Sequence, residues 1–374
     1  MKIQLPMNAH SLERRFFAIS ICAVATAVPI VRAQTNKDQV VDLSQVPQIH
    51  ETTEQRDARM QWFRDAKFGM FIHWGPCTVG DREIGWGRLA NRPWDINQRG
   101  PRTSDPDYHR NYGRIDVMWF DHVGGRDWGK WRFDQLFAMM YQFQPGLLVN
   151  NRAARFCGPA SPEDRSPATL EIRRMTDGDF DTPEQQIGAM NLKRDWESCM
   201  ILSPTPQHDG WSYRSTGKTR PLDDCIRMLA SIASGGGNLL LNFGPDEFGE
   251  FRPEEVAIAR GMGAWLKKYG IAIYGTRGGP FTNGKWGGST HRGNRVYVQV
   301  FDWPGDTLRL GALPQKLSKA RVLPAGAEVG FTQTARGVDV TVPAAQRDNP
   351  VTIIELTLDQ PVPRGQQVGS VPNP

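Results

Sequence analysis

The run Phe68-Gly69-Met70-Phe71-Ile72-His73-Trp74 decides how the first two thirds of the chain are read. It is short, almost continuously apolar and stopped by Gly75-Pro76, the pattern of a parallel strand buried on both faces. Four more runs of this kind follow, at Ile115–Phe120, Leu147–Asn150, Ser198–Leu202 and Asn238–Phe243. Two helices stand out near them. One covers about 221–234, with Leu222, Cys225, Ile226 and Leu229 on one face and Gly235–Gly237 behind it. The other covers about 252–269, with Pro253 near its start, Ile258, Met262, Trp265, Leu266 and Tyr269 as its stripe, and Gly270 after it. The triple glycine is not a phosphate loop, because no Gly-Lys-Ser/Thr follows it. Strands alternating with helices predict an α/β layer fold over 55–277. From about 280 the runs are short, β-branched and separated by Gly, Pro and Asp, at Arg295–Asp302, Ser318–Leu323, Arg336–Val342 and Val351–Thr357. They predict a small antiparallel β domain over 278–358. The Pro- and Gly-rich end, 359–374, reads as a flexible tail.

Composition narrows the class of protein. The 374 residues carry a net charge of +5, with 45 basic residues spread among 40 acidic ones. Arg92, Arg99, Arg102, Arg110 and Arg114 are the only loose basic cluster, and no nucleic-acid motif accompanies them. Arg14 and Arg15 precede an apolar run from Phe16 to Val31, and Val31-Arg32-Ala33 offers a small-residue cleavage site. This predicts a signal peptide over 1–33, weakly similar to the twin-arginine type, then a polar leader over 34–54 and a periplasmic or extracellular destination. The run is short for a membrane span, which needs ~20 residues, and no membrane association is expected after cleavage. Of the five cysteines, Cys22 lies in the signal; Cys77, Cys157, Cys199 and Cys225 are widely spaced, without a metal-ligand pattern. One bridge among them is conceivable, and the spacing assigns none.

Two carboxylates attract attention. Asp121 directly follows the strand-like run ending Trp119-Phe120, which makes it either a loop cap or a site residue, with Trp119 able to wall a pocket. Glu184 lies in Asp179-Phe180-Asp181-Thr182-Pro183-Glu184. There Thr182 could cap a helix with Pro183 at its first position. Asp177, Asp179 and Asp181 alternate as in a calcium loop, but the glycine and distal glutamate of that motif are missing.

The stretch Lys67–Pro76 resembles the first-strand motif of the glycoside hydrolase family of α-L-fucosidases, family 29. Further matches follow in the family's order at Ile115–Asp121, Asn151-Arg152, Thr182-Pro183-Glu184, Trp196-Glu197, Trp211-Ser212-Tyr213, Asn238–Gly244 and Tyr269–Arg277. The resemblance implies a (β/α)8 barrel followed by a β-sandwich, and a retaining exo-glycosidase that acts on fucosylated oligosaccharides or glycoconjugates without metal or organic cofactor. It makes Asp121 the nucleophile and Glu184 the acid/base. His73 and Arg152 would bind beside the sugar, and Trp211 would meet its methyl face. Trp86 resembles a tryptophan of the loop that closes the pocket, although ordinary loop packing explains it nearly as well. Glu197 is the second choice of acid, or a buried structural carboxylate paired with a basic neighbour.

The resemblance also breaks. The family carries adjacent histidines on its second strand, and none of the seven histidines here is followed by another. Only about forty residues separate Trp74 from Ile115, where the resemblance implies two strands, and the expectation is that the interior between Gly100 and Asp107 is cut out. The expectation is an incomplete barrel with uncertain turnover. The alternatives are a catalytically impaired fucose-binding remnant and a barrel glycosidase with another sugar preference.

Overall fold

The computed structural model describes residues 52–73, 114–121, 140, 144–152, 178–187, 190–204, 210–215 and 217–369. Helix α1, Thr53–Ala66, begins with a reciprocal cap: the Gln55 amide N–H donates to the Thr52 hydroxyl and the Thr52 N–H to the Gln55 side chain. It ends at Lys67, whose φ of 60° turns the chain sharply into strand β1, Phe68–Ile72. Strand β2 is Val117–Met118, β3 Leu148–Val149, β4 Glu197–Ile201 and β5 Asn238–Phe243. Helix α2 is Leu222–Ser234 and α3 is Pro253–Tyr269.

All five strands predicted in this region are present: β5 has the predicted bounds, β4 is shifted by one residue, and β1, β2 and β3 are shorter by two to four residues. They are joined by a sixth segment that the sequence did not announce, Phe180–Asp181. It bridges in parallel to Asn150 on one side and to Trp196 on the other. The spatial order is therefore β2, β3, Phe180–Asp181, β4, β5, β1, with every neighbour parallel. The first strand pairs with the last, as a barrel wall requires. The wall bends around a common interior, since Phe71, Trp119, Leu148, Phe180, Cys199 and Leu240, one from each segment or just beyond it, meet in a single cluster with Met60 and Phe63 of α1. Among the described residues no closed eight-stranded barrel is seen: the wall has six parallel segments. Residues 74–113, between β1 and β2, lie outside the described residues, and with them the Gly100–Asp107 interior.

The opposite faces of β4 and β5 present Met200, Leu239, Leu241 and Phe243 to α2 and α3. Close approach there needs glycine: a Cβ on Gly237 would lie 2.5 Å from the Trp196 ring. The C-terminal domain is antiparallel, as expected. Its larger sheet runs β11 (Ala327–Glu328), β10 (Leu317–Leu323), β14 (Thr352–Leu358), β8 (Arg295–Val300), β7 (Gly287–Arg292) and β6 (Arg277–Gly278). The smaller runs β12 (Gly330–Thr334), β13 (Gly337–Thr341) and β9 (Thr307–Leu310). Val298, Leu308, Val322, Val340 and Leu356 fill the space between the sheets. Tyr297, Leu323, Val351 and Ile353 point the other way and share one core with Leu229, Ile232 and Tyr269 of the helices.

The tail expected to be loose from 359 is held as far as Gly369. Val362 is buried, Val368 bridges to Phe281, and Arg364 donates to both carboxylate oxygens of Asp57 on α1. The signal, most of the leader and residues 370–374 lie outside the described residues. Among the described residues, no helix is long and apolar enough to cross a membrane.

Lys67 gives the fold a pH signature. The side chain is buried where α1, the barrel wall and the sandwich meet. Burial first, then the Arg277 and Arg64 charges, against Asp195 and Asp65, bring its pKa down to about 7. The unfolded chain holds that proton up to about 10.5, so it binds more protons than the folded chain between the two values, and stability rises with pH there. The expected result is a urea midpoint that climbs from pH 7 to 9, below the range where the buried thiols titrate. Lys67→Met should flatten the climb; an unchanged slope in that variant would refute the assignment.

Candidate active site

The site lies at the carboxyl ends of the parallel segments, where alternation aims one residue inward from each. Beyond β2 the Phe120 backbone is held by Asn150, whose side chain accepts from the Phe120 N–H at 2.8 Å and donates to its carbonyl at 2.9 Å. That exchange extends the β2–β3 pairing past its last ladder bond and fixes Asp121, the next residue.

Arg152, three residues beyond β3, is 7% exposed and organises the centre. Its Nη1 donates to Asp121 Oδ1 at 2.8 Å and its Nη2 to Glu184 Oε2 at 2.7 Å. Its Nε donates to the Thr182 hydroxyl at 3.0 Å. Asp121 and Glu184 therefore share one guanidinium at the carboxyl end of the wall, with a third or slightly more of each side chain accessible. Burial opposes the Arg152 charge, but Cys199, Asp121 and Glu184 around it outweigh that and hold its pKa above the ordinary value.

Thr182 caps no helix. Its hydroxyl serves Arg152 and Asn151, and the chain continues extended so that Glu184 bridges in parallel to Cys199. The carboxylates once weighed as a calcium loop are taken by arginines: Asp179 by Arg59 and Asp181 by Arg194, each at 2.7 Å, while Asp177 lies outside the described residues.

At the other edge of the described wall, His73 follows β1. Its Nδ1 is 2.5 Å from the Asn242 side-chain oxygen, and Asn242 donates to the Trp211 carbonyl at 2.8 Å. The rings of His73 and Trp211 lie 5.2 Å apart. Asn242, on β5, thus positions two of the expected sugar contacts. Like Asn150 and Asn151, it has no site role in the sequence reading, where its only signal is a place inside a quoted run or motif; Thr182 figures there as a helix cap and not as a partner of Arg152.

Trp119 was expected as a pocket wall. It is 5% exposed and lies under the guanidinium instead, its ring centroid 4.6 Å from Arg152 Cζ. Its Nε1 donates to Glu197 Oε1 at 3.3 Å. Glu197 was expected, in its structural reading, to pair with a basic neighbour, and its partner is this indole. It keeps some access to the interior, but burial pushes its carboxyl up to about 7 against the lowering effect of the Trp119 bond. Burial likewise pushes the Cys199 thiol up to about 12, and Cys199 and Cys225 are free thiols. Trp86, Cys77 and Cys157 lie outside the described residues. Among the described residues no group of three or more His, Cys, Asp or Glu is placed to hold a metal ion.

The family model for alpha-L-fucosidase matches residues 36–100 and 98–271 of this chain. The chain belongs to the α-L-fucosidase family. Its relatives share this region at modest identity. An alpha-L-fucosidase of Branchiostoma floridae is 35% identical over 120 residues, 30% of this chain and 25% of that protein. The plasma alpha-L-fucosidase of Homo sapiens is 28% identical over 200 residues, 50% of this chain and 39% of that protein. Among solved structures, alpha-L-fucosidase isoenzyme 1 from Paenibacillus thiaminolyticus superposes with a TM-score of 0.56 at 28% identity, over 78% of this chain and 71% of that one. The chain spans well under half the length of these two curated relatives. The two stretches matched to the family model meet at residues 98–100, beside the place where the sequence suggests a missing interior.

Proposed function

We propose that this chain hydrolyses α-L-fucosides with retention of configuration, in a barrel shortened between Trp74 and Ile115. The observation that carries the reading is the Arg152 fork, which reaches from the end of β3 to Asp121 and Glu184 at the ends of the segments on either side of it. Retention needs carboxyls ~5–5.5 Å apart, a separation that one guanidinium can span. In the first step Asp121 forms a bond to the anomeric carbon as the bond to the leaving oxygen breaks, and Glu184 gives that oxygen its proton. In the second, water adds to the same carbon while Glu184 takes its proton and Asp121 departs. Glu184 must leave Arg152 to reach the leaving oxygen. Its accessible side chain, next to Gln185 at φ 53°, leaves it room to do so. His73, Trp211 and Trp86 would bind the sugar, Trp211 toward its apolar methyl face. The substrate would be a fucosylated oligosaccharide or glycoconjugate, met outside the cytoplasm after loss of residues 1–33. The plasma enzymes among the relatives are in keeping with that location.

The test is to mix the protein with an aryl α-L-fucoside and follow the first-formed sugar by proton NMR. The α-anomer appearing first is the expected result; the β-anomer would mean inversion and overturn the two roles. The broken family match and the short span of the relatives favour a second reading, an impaired fucose-binding remnant. Binding of a fucose-configured iminocyclitol without any release of phenol would establish it.

A further inference from the structure

We propose that Glu197 is a positioning residue of this site, acting on the carboxylate pair through the Trp119 indole and the Arg152 guanidinium. The inference rests on the proposed hydrolase reading for its kinetic consequences and on geometry for its substance.

The contacts form an unbroken chain across the wall. Glu197 on β4 accepts from the Trp119 indole at 3.3 Å. The Trp119 ring carries the Arg152 guanidinium 4.6 Å above its centroid. Arg152 in turn holds Asp121 and Glu184. Each link removes a freedom from the next. An indole ring under a guanidinium can slide or rotate about its two side-chain torsions, and a hydrogen bond at its nitrogen stops that motion. Phe71, 5.1 Å away, packs against the ring but offers no polar anchor. A guanidinium with a fixed floor presents its two outer nitrogens at fixed angles, and these angles set where the two carboxyls sit. Taking a carboxyl out of water costs free energy unless something uses it, and an alanine or valine would fill this strand position without that cost. Among the described residues the titratable group that registers Glu197 is Cys199 on its own strand, itself pushed up to about 12 and protonated at neutral pH, while the Trp119 indole is the polar partner of the carboxyl.

The test compares Glu197→Ala and Glu197→Gln in the full chain. With an aryl α-L-fucoside, Glu197→Ala should lower kcat by about 30-fold with KM changed less than about threefold, because a displaced catalytic pair loses rate more than binding. Glu197→Gln keeps an acceptor for the indole and should recover most of the loss. Adding Trp119→Phe to Glu197→Ala should cost little more, since both act through one path. Independent, multiplying losses would overturn the proposal, as would an unaltered kcat in Glu197→Ala. A second readout needs no turnover. The Trp119 indole N–H resonance, identified by its loss in Trp119→Phe, should titrate with a midpoint of about 7 in the parent and not in Glu197→Gln. The Arg152 Nε–H resonance should shift in Glu197→Ala. If the parent releases no phenol, the hydrolase reading fails and these resonances still decide: an Arg152 signal that stays in place overturns the positioning role.

Discussion

Asp121→Ala is expected to slow release of phenol from an aryl α-L-fucoside by ~10⁴-fold, the scale seen when one member of a catalytic unit is removed. The reason is that no other group among the described site residues can replace it. Arg152 and Trp119 carry no nucleophile, the Thr182 hydroxyl is engaged by Arg152 and Asn151 without a base to activate it, and the Cys199 thiol, pushed up to about 12, stays protonated at neutral pH. The variant should fold, because Asp121 is about a third accessible and its loss leaves Arg152 still paired with Glu184. Azide makes the prediction sharper. In Asp121→Ala it can enter the vacated volume and attack the anomeric carbon from that face, displacing the leaving group and yielding the β-fucosyl azide. In Glu184→Ala the glycosyl-enzyme still forms from a fucoside with a good leaving group, and azide attacks from the other side to give the α-azide. Identical azide products from both variants, or near-parental rates in Asp121→Ala, would show that the two roles are wrongly placed.

Arg152→Met should lose both activity and stability. The guanidinium is the shared partner of two carboxylates, so its removal leaves Asp121 and Glu184 facing each other with no cation between them. Removing one partner of a fully buried pair costs ~3–5 kcal/mol. Here the carboxylates keep about a third of their accessibility, so solvent screening reduces the cost to about 2 kcal/mol. The fall in turnover should exceed ~10²-fold, because mutual repulsion spreads Asp121 and Glu184 from their working separation. Urea titration and initial rates read the two effects. Arg152→Lys separates charge from geometry: a single ammonium cannot bond both carboxylates in the forked manner, so it should restore stability far more than rate. A lysine variant with parental turnover would mean that the fork is not what sets the spacing.

The parts of this molecule that repeat or alternate were legible in its sequence. Five apolar runs marked five strands, although only β3 and β5 are buried along their whole length and β1 leaves Met70 and Ile72 exposed; α2 and α3 fall within a residue or two of the glycine and proline signals around them. The sixth wall segment escaped notice because it is only Phe180–Asp181, amid acidic residues whose role depends on arginines far away in sequence. Asp121 and Glu184 could be named from the family pattern. Their common partner was named too, but only as a neighbour of the sugar. That one guanidinium reaches both is a fact of strand register, and no spacing of letters contains it. The same holds for Trp119: a tryptophan before a catalytic aspartate looks like a wall for a sugar until its ring is found under an arginine. The tail misled for a simpler reason. Its Pro and Gly content suggested looseness, while Arg364 and Val362 each find a partner that composition cannot reveal.

The core that joins α2 and α3 to the sandwich has a practical meaning for anyone dissecting this protein. Tyr297, Leu323, Val351 and Ile353 sit among helix side chains as fully as among their own strands, and Gly278 passes so close that a Cβ there would meet the Gly236 nitrogen at 2.5 Å. The boundary visible in the sequence near 278 is therefore a change of texture rather than a seam. A fragment cut there would carry two helices with a stripped outer face, and the released sheet would lose the surface on which it was laid down. The sandwich serves as an outer wall of the parallel layer, and a trimmed chain sought for engineering would have to keep it.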